Sequence, residues 1–486
     1  MFGTINSTMI LAILPEILLL VLAGLVLLFD ATIWPDAEGR RRNLGWLVAG
    51  GSVLILVLSL ILASPDGSNE LVWGGMLRHD WMGFIFKMVF IFGAAITALF
   101  AMDVEGLGKR GEFYLLLLVS TIGMNLMASS SDLIMLYLAI ETTSIPMYIL
   151  AGFFKQDDKS TEAGFKYLLF GAMTSAIMLY GFSLLYGFSG VTGLYQLAAI
   201  IQTGSLNSGV LLLSLLLVLV GFSFKISAVP FHFWAPDVYE GAPTPVVGFL
   251  STASKAAGFA VLVRVLMGAF PALSGQWSFL IAIIATVTMT LGNAIALTQK
   301  NIKRLLAYSS IAHAGYIMVG VVTFSELGVT SVVFYLIAYL VTNLAAFGIV
   351  ASVWQKVGSD EIEAYDGLSR RSPGLALAML VAFLSLAGMP PFGGFMAKVL
   401  VFAAAVKADL VWLAFVGVLN SIVGLYYYLV VLKHVYLYRS EEDDVPVPVT
   451  RPYRIALVVL SVGIVLLGAF FAPWYNWSSG AAGGFF

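Results

Sequence analysis

The stretch from Phe222 to Arg264 places two lysines, Lys225 and Lys255, in runs apolar enough to be membrane helices. Between them stand Pro230, Pro236, Pro243 and Pro245, with His232, Asp237 and Glu240. A lysine at the centre of a bilayer costs roughly 2.5–3.5 kcal/mol on insertion scales. Two of them beside a proline-broken helix point to acid–base chemistry, because an amine takes up and releases H⁺ according to its neighbours. Burial lowers a lysine's proton affinity and a nearby carboxylate raises it. Glu141, in LYLAIETTSIPMYIL, stands near the middle of another apolar run. It is expected to be the ion-pair partner of Lys225, the alternative being a permanently bonded structural carboxylate. Moving Glu141 toward or away from Lys225 would switch the amine's affinity. The alternative for Lys225 is a side chain that snorkels to the interface.

Lys255, in STASKAAGF, has Ser251, Thr252 and Ser254 beside it and is too central to snorkel. Lys398 follows GMPPFGGFMAK, where Gly388, Gly393 and Gly394 permit unusual backbone angles. His313, in SSIAHAGY, is either a bonded core residue or a relay between the lysines. His232 and His434 read as interfacial. The four histidines are scattered, so no metal site is expected.

These residues need a membrane scaffold to hold them. Of 486 residues, 60% are hydrophobic and 11% charged, where soluble domains carry about 25%. Apolar runs of ~20 residues give an all-α integral membrane protein. The formal charge of -2 offers no basic face for nucleic acid. The absence of cysteine excludes disulfides and Cys-ligated zinc or iron–sulfur centres. The opening MFGTINSTM lacks the basic region of a secretory signal and the Arg-rich face of a transit peptide, so the first run reads as a retained span.

Length and apolarity give about fourteen spans: 9–29, 44–63, 81–101, 113–129, 132–154, 164–187, 208–238, 243–266, 277–298, 302–322, 328–354, 372–405, 409–437 and 453–473. The seventh and twelfth are long and contain Pro230 and Pro390-Pro391. Of 25 Lys+Arg, 18 fall in odd-numbered loops, among them Arg40, Arg41 and Arg42, and 2 in even-numbered ones, Arg78 and Lys407. This bias puts odd loops in the cytoplasm and both termini outside. Spans four to eight and nine to thirteen form two five-helix units with discontinuous helices seven and twelve. An odd helix count inverts the second unit relative to the first, as in transporters. The expected divisions are 1–112, 113–270, 271–440 and 441–486. No soluble domain is expected, since the polar stretches Gln355–Pro373 and Arg439–Arg454 are too short to fold alone.

Gly106-Leu107-Gly108-Lys109-Arg110-Gly111 fits G-x-G-x-x-G. It joins two spans and follows no strand, so the dinucleotide reading fails. The sequons at Asn6 and Asn476 receive no role. Trp46, Trp81 and Trp474 read as interface anchors.

The run KISAVPFHFWAPDVYEGAPTPVVGFLSTASKAAGF, Lys225 to Phe259, resembles the antiporter-like membrane subunits of respiratory complex I, the proton-translocating NADH:quinone oxidoreductase. VYEGAPTPV and GMPPFGGFMAK resemble subunit N, the subunit 2 type, over essentially the whole chain. The resemblance implies that Glu141 and Lys225 are the coupling pair, Lys255 the central relay and Lys398 the relay on the exit or inter-subunit side, with His313 a weaker carry-over. It implies no cofactor on this chain, with NADH, FMN, iron–sulfur clusters and quinone on partner subunits. It implies other membrane and peripheral subunits of the complex as partners, besides lipid and protons, and a bacterial inner membrane. The chain ends soon after its last span, unlike the largest member with its lateral helix. The alternative is an Mrp-type sodium/proton antiporter subunit, which shares the fold and the Glu/Lys pattern. The blandest reading is a scaffold whose ion pairs only hold helices together. Interhelical polar bonds average only ~0.6 kcal/mol, a poor reason to keep central charges.

Overall fold

The computed structural model describes residues 6–33, 43–67, 69–439 and 445–486. Arg40, Arg41, Arg42 and part of the Arg439–Arg454 stretch lie outside the described residues. The helices are α1 (Leu14–Leu28), α2 (Asn43–Leu62), α3 (Trp81–Ala101), α4 (Gly111–Ser129), α5 (Leu133–Ala151), α6 (Asp158–Ser189), α7a (Ser208–Ile226) and α7b (Trp234–Gly241). They continue as α8 (Thr244–Ala269), α9 (Pro271–Ala296), α10 (Ile302–Val322), α11 (Glu326–Val357), α12a (Pro373–Ala387), α12b (Gly393–Lys407), α13 (Val411–Tyr436) and α14 (Arg451–Ala469). Among the described residues, thirteen helices are long and apolar enough to cross a bilayer. The remaining crossing is α12a with α12b, so the fourteen spans and the breaks in the seventh and twelfth are present.

Side-chain caps explain many starts: Asp80, Asp132, Asp157, Asn207, Asn301 and Ser325 each accept from a backbone N–H of the first turn. The 32-residue α6 and α11 are ~48 Å long, more than a hydrocarbon core needs. Lys159 and Lys166 therefore stand on α6 rather than in a loop. Both breaks carry a cis peptide, Val229-Pro230 and Pro390-Pro391.

Helices α3, α8, α10 and α11 form the interior, buried almost throughout. The others wrap them and turn apolar side chains such as Leu54, Phe165, Phe415 and Val458 outward, as lipid contact requires. Short elements escape the apolarity reading because none is long enough to cross a bilayer, among them a hairpin, β1 (Glu70–Val72) with β2 (Leu77–His79), and the helices Leu194–Gln202 and Phe471–Gly480.

Candidate functional site

Lys225 occupies the last turn of α7a, which ends at Ser227 with a left-handed φ of 59°. Its side chain is 6% exposed, which excludes snorkelling. Nζ donates to Ser144 Oγ on α5 at 2.6 Å. Glu141 stands three residues before Ser144 on the same helix face. It is half-buried, and its Oε1 accepts from Ser175 on α6. The expected direct pair is thus not made. Glu141 and Lys225 instead line one small cavity of about 10 Å³ with Ser144, Tyr148, Gly171 and Ser175, the size of one water. The helix break itself is well satisfied: Trp234 Nε1 donates to Phe224 O at 3.2 Å, and Val229 N donates to Thr288 Oγ1 at 3.1 Å.

Lys255 follows a π turn, Leu250–Ser254, within α8. Such turns are frequent at functional sites because they widen the helix by one residue. Nζ donates to Ser310 Oγ at 2.6 Å and Ser310 O at 2.9 Å, on α10. The flanking hydroxyls point elsewhere: Thr252 donates to Gly248 O and Ser251 accepts from Asn343. Ser309, next to Ser310, bonds to the Tyr428 hydroxyl of α13. That hydroxyl is 3.3 Å from His313 Nε2, and His313 Nδ1 is 2.7 Å from the Tyr335 hydroxyl. His313 is buried between the two lysine sites, packed against Tyr316 and Tyr339.

Lys398, on α12b just past the break, donates to Ala387 O and Ser421 Oγ, both at 2.8 Å, and lies over the Tyr316 ring at 5.1 Å. Asn293 links Tyr316, Asn420 and Tyr427 in one network beside Ser421. Gly388 ends α12a at φ 87° and lets Lys398 fold back, since a Cβ there would come within 2.7 Å of Lys398 Cδ. Gly393 and Gly394 do not adopt left-handed angles, contrary to expectation. They are helical, and allow close approach to Leu467 and to the Ser385 carbonyl.

All five residues singled out in the sequence are thus placed. Lys255, His313 and Lys398 meet one hydroxyl-rich interior, and Glu141 with Lys225 forms a separate station. Sequence reading missed Ser144, Ser175, Ser310, Tyr428 and Asn293. Ser144, three residues after Glu141, and Ser310, three before His313, carried a spacing signal, while Ser175, Tyr428 and Asn293 carried none.

Asp237 and Glu240, on α7b, form a charged clamp on the odd-loop face. Arg304 of α10 donates to both at 2.9 Å, Lys159 to Glu240 at 2.8 Å and Lys166 to Asp237 at 2.5 Å. Burial opposes ionisation of Glu240, but hydrogen bonds from Lys159 and Arg304 outweigh it and hold its carboxyl below the usual carboxylate range. A cavity of about 330 Å³ opens beside it, lined by Lys159, Glu240, Asn301, Lys303 and Asp360. His232 is buried rather than interfacial, and His434 Nδ1 is 2.6 Å from Asp366. His232 lies in the break between α7a and α7b, and His434 in the last turn of α13.

Residues 130–424 match the family described as "NADH:quinone oxidoreductase/Mrp antiporter, TM". NADH-quinone oxidoreductase subunit N of Moorella thermoacetica is 45% identical over 468 residues, covering 95% of this chain and 96% of that one. The chain belongs to the subunit N family of NADH-quinone oxidoreductase. Subunit N of Heliobacterium modesticaldum is 42% identical over 440 residues, with 90% and 91% covered. A chain of respiratory complex I from Thermus thermophilus with bound aureothin superposes with a TM-score of 0.80 at 34% identity, covering 95% of this chain and 98% of that one. A chain of the Mrp complex from Dietzia superposes with a TM-score of 0.86, covering 99% and 98%, but at 22% identity, so it shares the fold alone. Membership of the subunit N family makes this chain a multi-pass membrane subunit of the NADH-quinone oxidoreductase type.

Proposed function

We propose that the chain translocates protons, coupling electron transfer on partner subunits to pumping through Glu141, Lys225, Lys255, His313 and Lys398. One observation carries this reading: three amines and an imidazole, all buried, meet side-chain hydroxyls on facing helices. Hydroxyls both donate and accept, so they pass a proton without holding charge. Lys255 bonds to Ser310, and the adjacent Ser309 bonds to the Tyr428 hydroxyl that reaches His313, which brings the two groups to one turn of α10. Glu141 and Lys225, bonded apart but sharing a water-sized cavity, are poised to exchange partners. Because these groups interact, their protonation belongs to the set and not to one residue.

NADH oxidation at FMN, electron passage through iron–sulfur clusters and quinone reduction take place on other subunits in this reading. The units 113–270 and 271–440 enter the membrane in opposite senses, with 1–112 and 441–486 outside the pair. The odd-loop face is cytoplasmic, both termini are periplasmic, and the membrane is the bacterial inner membrane. The name of the Moorella relative and the likeness to Thermus complex I support the assembly.

The test is Lys225→Ala in the purified, reconstituted assembly. Loss of proton uptake with the complex still assembled is expected, and a normal proton-to-electron ratio overturns the reading. Sodium-dependent exchange, without flavin and iron–sulfur subunits co-purifying, would establish the antiporter instead.

A further inference from the structure

Helices α12a and α14 both enter the membrane from the odd-loop face, and a groove of about 830 Å³ lies between them. The sequence explains the hollow. On α12a, Gly374 and Ala378 stand one turn apart in the groove wall, and a side chain at Gly374 would meet only open space. Ser461 is the small residue of the α14 wall. Apolar side chains that face lipid supply the sides: Leu377, Val458 and Val462 are 58%, 56% and 51% exposed. The lower end is shut where α14 meets the break in α12, since a Cβ on Gly468 would collide with the Pro391 carbonyl.

Among the described residues lining this groove, Arg454 is the one with a charge. It stands in the first turn of α14, exposed, at the odd-loop end, and makes no ion pair among the described residues. Arg451, three residues earlier on the same helix, is exposed too. The α14 lining runs from Arg454 to Leu466, ~18 Å of helix. One leaflet of a ~30 Å hydrocarbon core is ~15 Å deep. A cation at the mouth of an apolar trough one leaflet deep fits a single phospholipid. A partner's crossing helix needs the full ~30 Å, which the closed lower end denies it.

The class of lipid follows from the charge. Lipid tails are as apolar as leucine, so apolar walls alone do not choose among lipids. An acyl chain fills the trough because an empty one forfeits its dispersion contacts. Selection falls to the guanidinium, which can grip a phosphate with two parallel bonds. A zwitterionic headgroup offsets its phosphate with its own amine, and an anionic one does not. We propose that this groove binds one anionic phospholipid of the odd-loop leaflet, its phosphate on Arg454 and an acyl chain along α14 as far as Leu466. The site stands whether or not the chain moves protons.

The experiment uses the assembled complex in phosphatidylcholine vesicles. A trace of phosphatidylglycerol or phosphatidylcholine carries a photoreactive diazirine on its acyl chain. After illumination, label should land on the groove residues of α12a and α14, about fivefold more from phosphatidylglycerol. Arg454→Gln should erase that preference. Val462→Trp fills the groove and should cut labelling by both lipids. Val459→Trp, comparably exposed on the same helix but off the groove, should change neither. Equal labelling by the two lipids overturns the proposal, including the case in which Glu441, Glu442, Asp443 and Asp444, outside the described residues, neutralise the arginine. Absence of label from the groove overturns it too. Val462→Cys, a single thiol in this cysteine-free chain, then shows by cross-linking whether a neighbouring subunit fills the space.

Discussion

The ammonium of Lys225 rests on Ser144, 2.6 Å from its hydroxyl, while Glu141, one turn away on the same helix, is held by Ser175. A serine thus stands where an ion pair was anticipated. The hydroxyl stabilises the amine in either charge state, because it can donate to a neutral nitrogen and accept from a charged one. A side-chain rearrangement would suffice to trade the serine for the carboxylate.

Ser144→Ala removes a charge-assisted bond worth about 1.5–3 kcal/mol. Proton uptake in vesicles should fall at unchanged assembly, while Ser144→Thr keeps the hydroxyl and most of the activity. Equal pumping by the Ala and Thr variants would leave the serine without a role.

Tyr428→Phe deletes the one hydroxyl that touches both Ser309 and His313. Pumping should drop as far as in His313→Ala, and the double variant should be no worse than either single one. Additive losses, read with a pH-sensitive dye, would place the two residues on separate routes.

Arg264 and Asp80 form a two-pronged, fully buried ion pair. Burial alone would raise the Asp80 pKa, but Arg264 outweighs it and holds the carboxyl below its ordinary range. Arg264→Met leaves that carboxylate buried with only Arg78, 3.4 Å away, as a counter-charge, a loss of up to about 3–5 kcal/mol. The amount of assembled complex should collapse, and Arg264→Met with Asp80→Leu should recover much of it.

Glu240 sets a pH dependence. Its carboxyl is held low in the folded chain, so the clamp's stabilisation is complete above the unfolded value of about 4.3. It is lost as pH falls through the lower folded value. Thermal stability in detergent should be flat from about pH 7 to pH 5 as far as Glu240 contributes. Arg304→Ala removes one of its partners, brings the folded value closer to the unfolded one and so shrinks the acid-dependent loss.

Gly388→Ala forces a side chain into a left-handed position, costing about 1–2 kcal/mol, and presses on Lys398. Both melting temperature and pumping should fall. Gly374→Ala, with open space around it on α12a, should do neither.

The crossings and both broken helices were legible because the bilayer demands long apolar runs and prolines interrupt them. The charged residues announced themselves because lipid tolerates them poorly: Lys225, Lys255, Lys398 and Glu141 need no alignment to stand out. Partners were not legible. Serines, tyrosines and Asn293 are common in helices, and only packing reveals which of them face a lysine. Ser310 lies on α10 and Lys255 on α8, so no local spacing joins them. Glu16 stood out least, since a carboxylate three residues into a helix looks like an ordinary first-turn acid. Its ion pair with Lys87, at 2.8 Å, exists only in three dimensions.

The four sheathed interior helices carry a final implication. Close-packed cores switch between discrete arrangements and do not deform smoothly. With α3, α8, α10 and α11 gripped on all sides, tilting one half of the molecule against the other would tear open the whole centre. Proton transfer as proposed would then be local: rotamers turn, hydroxyls reorient and charges hop, while the backbone stands still like the casing of a relay switch.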